Sequence, residues 1–283
     1  MSASKRCSDL SRAAGEPLAA TAPTADRWLL VEVPGTWCRD VGTGDTLPAP
    51  AQDAVAAWLE RTPRSRLHFL RRPGSRSERL IAFAVRAEEA VSELRRIELA
   101  ALDDLASVDF EEDGERVEAQ LVLVCGHGSR DACCALRGTA VYGALSGHVG
   151  DSELWMSSHQ GGHRFAANVL VLPAGIQLGR VDSEDAVALT ARALSGRIEL
   201  DHYRGRTCYD APVQAAEQAI RRARGLEDLA DLRLVSVEDS VVRFRDRSGN
   251  EHEATVLETA GPVTPASCGA EAEAQRVLEA HLV

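Results

Sequence analysis

The stretch QLVLVCGHGSRDACCALRGTAVYGAL, residues 120–145, changes its hydrophobic pattern near the middle. Residues 120–124 form a continuous apolar run, which is typical of a strand covered on both faces. From Cys134 onward, apolar residues recur at helical spacing. The sequence therefore predicts a strand, a glycine-containing loop and a helix, with Cys125 directly after the strand and Cys134 near the start of the helix.

The segments that follow this unit continue an α/β pattern. Strands are predicted at residues 154–156, 168–172 and 176–181, and the turn between the last two indicates a hairpin. A helix is predicted to begin at Ser183, an N-cap residue type that acidic residues follow. The predicted order is β-α-β-β-β-α.

The sequence before this unit predicts a similar mixture of elements. Short apolar strands are expected at residues 28–33, 66–71 and 79–86, with a helix near residues 52–60. This N-terminal part is therefore predicted to be a separate α/β module.

The sequence after residue 200 predicts a helix followed by an antiparallel meander. The helix is expected from Asp210, its cap, to Arg224, and the strands at residues 232–237, 241–245 and 253–258. We therefore expect a small α+β extension at this end.

These patterns divide the chain into three predicted modules. They are an N-terminal α/β module at residues 1–115, a central unit at residues 116–200 and the C-terminal α+β extension at residues 201–283. A chain of 283 residues is long for one domain, so two or three modules are expected. The sequence shows no internal repeat.

Composition excludes several classes of protein. The net charge of -11 argues against nucleic acid as the main partner, since phosphate binding requires clustered Lys and Arg. No apolar run is long enough to span a membrane, and no apolar segment follows the first residues, so we expect a soluble, cytoplasmic protein. The seven cysteines are odd in number and irregularly spaced, which does not predict a disulfide framework.

Two short loops carry four soft or borderline metal ligands. Cys125 and Cys134 flank the first loop, and His159 and His163 flank the second in the sequence HQGGH. Thiolates and imidazoles favour zinc, copper or an iron–sulfur cluster over magnesium or calcium. Taken singly, each cysteine also fits a small buried hydrophobe and each histidine a solvated loop residue.

The spacing leaves the kind of metal centre open. A structural Cys2His2 zinc site is compatible with these residues. So is a [2Fe–2S] cluster in which histidines replace two cysteines, which would have a higher reduction potential than an all-cysteine cluster. An exposed ring nitrogen on such a ligand would couple electron transfer to pH.

Other candidate residues have ordinary explanations. Cys133 is expected to pack in the core, and His127 lies either beside the centre or in solvent. Arg130 and Arg164 either balance the charge of a centre or are simply exposed. The remaining cysteines are isolated in sequence and are expected to be structural or incidental: Cys7, Cys38, Cys208 and Cys268. The sequence contains no P-loop, no nucleophile elbow and no dinucleotide-binding glycine motif.

Residues 125–134, CGHGSRDACC, and residues 159–173, HQGGHRFAANVLVLP, resemble the sucrase/ferredoxin-like family. The following residues 174–181 are similar to the strand-turn-strand that ends such ferredoxin domains. Weaker family features surround Cys7, residues 204–209 and Cys268, but the resemblance implies no chemistry for them.

The resemblance implies a thioredoxin-like [2Fe–2S] ferredoxin core, with Cys125, Cys134, His159 and His163 as cluster ligands. The expected function is electron transfer, with an unidentified reductase as partner, so the protein is expected to be a redox carrier rather than an enzyme. The sucrose cleavage in the family's name is not explained by these residues. Two alternatives stay open: a structural zinc module in an interaction protein, and a thiol oxidoreductase that uses Cys133 or Cys134.

Overall fold

The apolar runs of the sequence form two β-sheets. The computed structural model describes residues 6–44, 46–74 and 79–283, and within these residues one mixed sheet has ten strands and one antiparallel sheet has four. No helix in the described residues is long and apolar enough to cross a membrane, and residues 1–5 lie outside that description. The protein is a mixed α/β protein, as the sequence predicts.

The ten-stranded sheet contains the strands from the N-terminal and central parts of the chain. Their bounds are β1 Arg27–Glu32, β2 Ser65–Arg71, β3 Leu80–Ala87, β4 Ser92–Leu99, β5 Glu115–Arg116, β6 Leu121–Cys125, β7 Leu154–Ser157, β8 Val169–Leu172, β9 Ile176–Leu178 and β10 Tyr203–Arg206. The helices are α1 Cys7–Ala13, α2 Ala49–Arg61, α3 Ala132–Leu145, α4 Ala186–Leu194 and α5 Ala211–Arg224. The four-stranded sheet contains β11 Leu232–Glu238, β12 Val241–Asp246, β13 Glu251–Pro265 and β14 Ala272–Leu282.

The large sheet contains the same topology twice. In the first unit, β1 pairs in parallel with β2 across α2 and antiparallel with β3, which pairs with β4. In the second unit, β6 pairs in parallel with β7 across α3 and antiparallel with β8, which pairs with β9. This β-α-β-β-β order is thioredoxin-like in both units, although their sequences show no repeat.

The two units join edge to edge. Strands β2 and β7 pair antiparallel at Leu70–Ser157 and Arg71–Met156, so the strand order is β10-β9-β8-β6-β7-β2-β1-β3-β4-β5. One hydrophobic core spans this junction and contains Trp28, Leu123 and Trp155. The junction is therefore part of a continuous, buried sheet. The division at residues 115 and 200 stays a prediction.

Most predicted elements are present, with local corrections. The predicted strand, loop and helix around residues 120–145 are confirmed, as is the hairpin of β8 and β9. The prediction of Ser183 as an N-cap is wrong, since α4 begins at Ala186 after Asp185. Residues 183–185 form a turn first, because local cap chemistry does not decide where a helix meets its sheet. Strand β14, which pairs antiparallel with β13, was not predicted from the sequence.

Helix α5 connects the two sheets through buried charged groups. Glu217 and Arg221 form an ion pair at 3.0 Å with side chains 1% and 0% exposed. The hydroxyl of Tyr203, on edge strand β10, donates to Glu217 at 2.9 Å, and Arg221 donates to the carbonyl of Asp228 at 2.7 Å. Helix α5 also packs on the small sheet through Val213 and the core that contains Phe244. The network therefore fixes the small sheet to the edge of the large one.

Replacing Glu217 by Ala is expected to lower the free energy of unfolding by about 3–5 kcal/mol, because it leaves a buried guanidinium without its counter-charge. The control is Asp201→Ala. Asp201 forms an exposed ion pair with Arg222 of the same helix, and its loss is expected to lower the free energy of unfolding by less than about 1 kcal/mol. Urea unfolding followed by circular dichroism measures both. Equal losses in the two variants would contradict the role of the buried pair.

Candidate metal centre

The loop with the two predicted cysteine ligands is fixed by the contact between α3 and β6. Gly138 of α3 lies against the last residue of β6, so a Cβ added at Gly138 would be 1.9 Å from the carbonyl oxygen of Cys125. Asp131 begins the helix, and its side chain accepts a hydrogen bond from the backbone N–H of Cys133 at 2.8 Å. The turn between strand and helix is therefore short and closely packed, and Cys125 and Cys134 are both buried.

The histidine loop follows β7 and turns back on itself at two glycines. Gly161 and Gly162 have φ values of 90° and 68°, in the left-handed region that favours glycine. This turn brings the rings of His159 and His163 together, with centroids 4.6 Å apart. The spacing of four residues is therefore achieved by a glycine turn and not by a helix face.

The two loops meet at one place. The Sγ of Cys134 lies 3.9 Å from Nδ1 of His159, and the donor atoms of Cys125, Cys134 and His159 are all within 4.8 Å of one another. The Nδ1 atom of His163 is buried and has no hydrogen-bond partner among the described residues. The structure thus brings together three of the predicted ligands and sets His163 beside them. Their role as ligands stays a prediction.

The electrostatics of this group favour an ionised thiol at Cys125 beside a neutral imidazole at His163. The pKa of Cys125 is lowered, first by a hydrogen bond from Cys134 and then by His159, although burial opposes the shift. The pKa of Cys134 is raised in turn by its partner Cys125 and by burial. Burial, together with the neighbouring His159, lowers the pKa of His163 to about 4. His163 is therefore neutral near pH 7 and can offer a lone pair to a metal.

His127 holds the backbone of the histidine loop. Its Nδ1 accepts a hydrogen bond from the backbone N–H of His159 at 3.2 Å, and its Nε2 donates to the carbonyl of Cys38 at 2.8 Å. Burial lowers the pKa of His127, which is consistent with this neutral tautomer. The sequence allowed His127 to lie either beside the centre or in solvent, and the structure shows it beside the centre.

Arg204 is a positioning residue to which the sequence assigned no chemistry. It is 2% exposed and donates to the carbonyl of Gly161 at 3.0 Å and to Oδ1 of Asn168 at 2.9 Å. The amide of Asn168 in turn donates to the carbonyl of Gly162 at 3.0 Å. Burial, with a smaller effect of the nearby Arg164, lowers the pKa of Arg204 to about 9. A mainly charged guanidinium therefore sits under the glycine turn.

Arg130 and Arg164, whose roles the sequence left open, each form an ion pair with a carboxylate. Arg130 pairs with Asp40, and Arg164 pairs with Glu16 at 2.6 Å. Arg130 nevertheless lines a cavity of 380 Å³ beside His159. Asp40 lines the same cavity and offsets the charge of Arg130, so the remaining positive charge there comes from Arg39 and Arg66.

A second group of possible metal ligands was not predicted from the sequence. Cys7, Cys133 and Cys268 lie together in a small buried cluster, and Asp131 lies beside them. Cys133 is buried, as expected, and Cys7 and Cys268, which are isolated in sequence, meet it in the fold. The three cysteines are separated from one another by more than a hundred positions along the chain, so no local pattern could have joined them.

These features define a class of protein: a thioredoxin-like α/β protein with thiol and imidazole donors grouped at the ends of β6 and β7. Such donors suit zinc, copper or iron–sulfur centres and not magnesium or calcium. Residues 18–205 match the sucrase/ferredoxin-like family, and the chain belongs to that family.

The chain is also similar to curated fungal proteins. It is 34% identical over 113 residues to altered inheritance of mitochondria protein 32 of Meyerozyma guilliermondii. The matched region covers 35% of this chain and 38% of that protein. It is 39% identical over 59 residues to the protein of the same name from Eremothecium gossypii. Here the matched region covers 20% of this chain and 19% of that protein. The chain thus matches less than two fifths of the length of either relative. No solved structure matches the chain.

The contact between Gly138 and Cys125 gives a test of the centre. Gly138→Ala is expected to lower the free energy of unfolding by about 2 kcal/mol or more and to reduce the metal content, because helix and strand must separate to admit the methyl group. The control is Gly143→Ala in the same helix, where nothing lies within 4 Å of the added Cβ. That variant should keep its metal, with stability unchanged or raised by up to about 1 kcal/mol. Elemental analysis and thermal unfolding measure both, and full metal content in Gly138→Ala would contradict the packing argument.

Proposed function

We propose that the protein is an electron carrier that holds one [2Fe–2S] cluster through Cys125, Cys134, His159 and His163. The observation that carries this proposal is the convergence of two buried sulfurs with the ring nitrogen of His159, next to the unpartnered Nδ1 of His163. The membership of a ferredoxin-like family supports the choice of an iron–sulfur cluster over another soft-metal centre.

The donor set fits such a cluster chemically. Two thiolates and two neutral imidazoles are a known ligand set of [2Fe–2S] centres, in which the histidines share one iron. Each pair of donors lies in its own loop, so we assign Cys125 and Cys134 to one iron and His159 and His163 to the other. When bound, the cluster supplies reversible one-electron chemistry.

The surrounding residues would give the cluster an inner and an outer side. Cys125 and Cys134 are completely buried, whereas His159 and His163 are partly exposed. His159 also lines the 380 Å³ cavity. The imidazole side is therefore the side at which a redox partner would approach and at which a proton would exchange.

The charges around the cavity support a partner with an acidic surface. Arg39, Arg66 and Arg130 line the cavity with a single carboxylate, Asp40, which leaves a local excess of positive charge in a chain whose net charge is -11. Complementary charge raises the rate of association between redox proteins. An acidic reductase is therefore the partner we propose, with neither nucleic acid nor membrane as a target.

The cytoplasm is the location we propose. All seven cysteines lie in the described residues and are free thiols, which suits a reducing compartment. The fungal relatives carry mitochondrial inheritance in their names, and an organelle remains the alternative that fractionation would test.

Two other functions make different predictions about the purified protein. A structural zinc centre uses the same four donors but gives a colourless protein. A thiol oxidoreductase would instead use Cys133 or Cys134 for disulfide exchange, and would keep its metal content when the thiol is replaced.

Metal and sulfide analysis tests the proposal directly. Protein purified without oxygen is expected to contain about two iron atoms and two labile sulfides per chain and to absorb visible light. His163→Ala is expected to lose most of this absorption, because it removes one of the four proposed donors. His148→Ala is the control, since that histidine is exposed. Colourless wild-type protein with stoichiometric zinc in the imidazole site would exclude the electron carrier.

Electrochemistry tests the assignment of the histidines. Replacing His159 and His163 together by cysteine is expected to lower the midpoint potential on the order of 200 mV, because two thiolates add negative charge to the oxidised cluster. Film voltammetry of both proteins gives the two potentials. An unchanged potential in a double variant that retains iron and sulfide would contradict histidine ligation.

A further inference from the structure

We propose that Cys7, Cys133, Cys268 and Asp131 form a second metal site, which binds one Zn²⁺ ion through three thiolates and one carboxylate oxygen. This site, the zinc clamp, is separate from the four donors of the candidate metal centre. It rests on its own geometry and not on the proposed electron transfer.

The ligands of the zinc clamp come from three distant parts of the chain. Cys7 begins α1, Cys133 lies in the first turn of α3, and Cys268 lies in the turn between β13 and β14. Cys7 and Cys133 are completely buried, Asp131 is 5% exposed and Cys268 is half-buried. Free thiols are seldom brought together in this way by packing alone, since a single small hydrophobe would fill each position equally well.

The separations of the three sulfurs fit one tetrahedral ion. The Sγ atoms of Cys7 and Cys133 are 3.6 Å apart, those of Cys133 and Cys268 are 3.4 Å apart, and those of Cys268 and Cys7 are 3.6 Å apart. A zinc ion with Zn–S bonds of about 2.3 Å places its sulfurs about 3.8 Å apart. The three sulfurs therefore outline one face of the expected tetrahedron to within a few tenths of an ångström.

The carboxylate of Asp131 occupies the fourth direction. Both of its oxygens lie 3.9 Å from the Sγ of Cys7, and a donor oxygen lies within 4.8 Å of all three sulfurs. Zinc with bonds of about 2.3 Å to sulfur and about 2.0 Å to oxygen gives a sulfur–oxygen separation of about 3.5 Å. The backbone N–H groups of Cys133 and Cys268 donate to the two oxygens at 2.8 and 2.9 Å, so the carboxylate is held in place before an ion binds.

Other polar groups complete the surroundings of the zinc clamp. The hydroxyl of Ser8 donates to the Sγ of Cys133 at 3.3 Å, and Arg137 donates to that hydroxyl at 3.0 Å. Hydrogen bonds of this kind stabilise thiolates and orient metal ligands. They favour an ion held by charged sulfurs over three neutral thiols.

The geometry favours zinc over the two other uses of such a cluster. A disulfide joins two sulfurs about 2.05 Å apart and leaves the third thiol and the carboxylate without a role. A cubane iron–sulfur cluster needs each thiolate on a different iron, which requires sulfurs that are well separated. Sulfurs at 3.4–3.6 Å suit one shared ion.

Zinc in this position would connect the ends of the chain to the candidate metal centre. It would join α1 and the β13–β14 turn to the start of α3, one residue before Cys134. An ion bound only by the folded protein stabilises it in proportion to the logarithm of its free concentration. The zinc clamp would therefore stabilise the loop that carries Cys125 and Cys134.

The experiment measures zinc and iron in the same samples of the full chain, purified with reductant and without chelator. Wild-type protein is expected to contain about one zinc in addition to the metal of the candidate centre. X-ray absorption at the zinc edge should give three sulfurs at about 2.3 Å and one oxygen at about 2.0 Å. Cys268→Ser should lower the zinc content by about one ion per chain while the visible absorption remains.

The control is Cys208→Ser, a half-buried cysteine outside both sites, which should leave zinc and absorption unchanged. Wild-type protein without zinc would overturn the proposal. A disulfide between any two of Cys7, Cys133 and Cys268, detected as a mass lower by two hydrogens, would also overturn it. One zinc per chain bound by two sulfurs and two nitrogens would place the ion in the candidate centre, and would overturn both the zinc clamp and the [2Fe–2S] proposal. Visible absorption without zinc would overturn the zinc clamp alone.

Discussion

The close contact between α3 and the end of β6 positions the segment that supplies donors to both groups: Cys125, Asp131, Cys133 and Cys134. A helix can approach a strand so closely only at a residue without a Cβ, and Gly138 meets the carbonyl of Cys125. The six residues between β6 and α3 must then turn sharply, and Asp131 ends the turn by capping the helix. Cys133 and Cys134 follow on successive positions of one helical turn, so their side chains point in different directions. One short segment therefore serves two separate groups of donors.

The duplicated topology explains how the loop between Cys125 and Cys134 is covered. Among the residues that the structure describes, the unit formed by β1 to β4 has no group of thiol and imidazole donors at the end of β1, where the chain leads to α2 instead. The segment between β1 and α2 passes to the other unit: the carbonyl of Trp37 accepts from Ser129 at 2.6 Å, and that of Cys38 accepts from His127. Asp40 pairs with Arg130. Since β2 and β7 pair edge to edge, the first unit is held rigidly enough to act as a wall for the second.

Local sequence signals predicted the local part of this structure. The strand, loop and helix around Cys125, and the glycine turn between His159 and His163, depend on residues close together in sequence, and both are present. Ser183 failed as a helix start because its helix is placed by packing of α4 on the sheet and not by the cap. Three features depend on contacts between residues that are far apart in the sequence: the β2–β7 junction, the buried Arg204 and the meeting of Cys7 with Cys268. Nothing in a single sequence encodes such contacts as a period or a spacing.

Burial distinguishes two sides of the candidate centre. The buried thiol side would bind the metal, and the partly exposed imidazole side would exchange a proton. The sulfurs are sealed from water, which protects thiolates from oxidation and keeps them available to a metal. The imidazole of His159 lines the cavity, where three arginines outnumber the single carboxylate of Asp40. The chain has a net charge of -11, so this local excess of positive charge does not follow from overall composition. It lies on the side where the proposed redox partner would approach. Because screened charges act over about 10 Å, the arginines beside His159 would influence an approaching protein more than the distant acidic surface does.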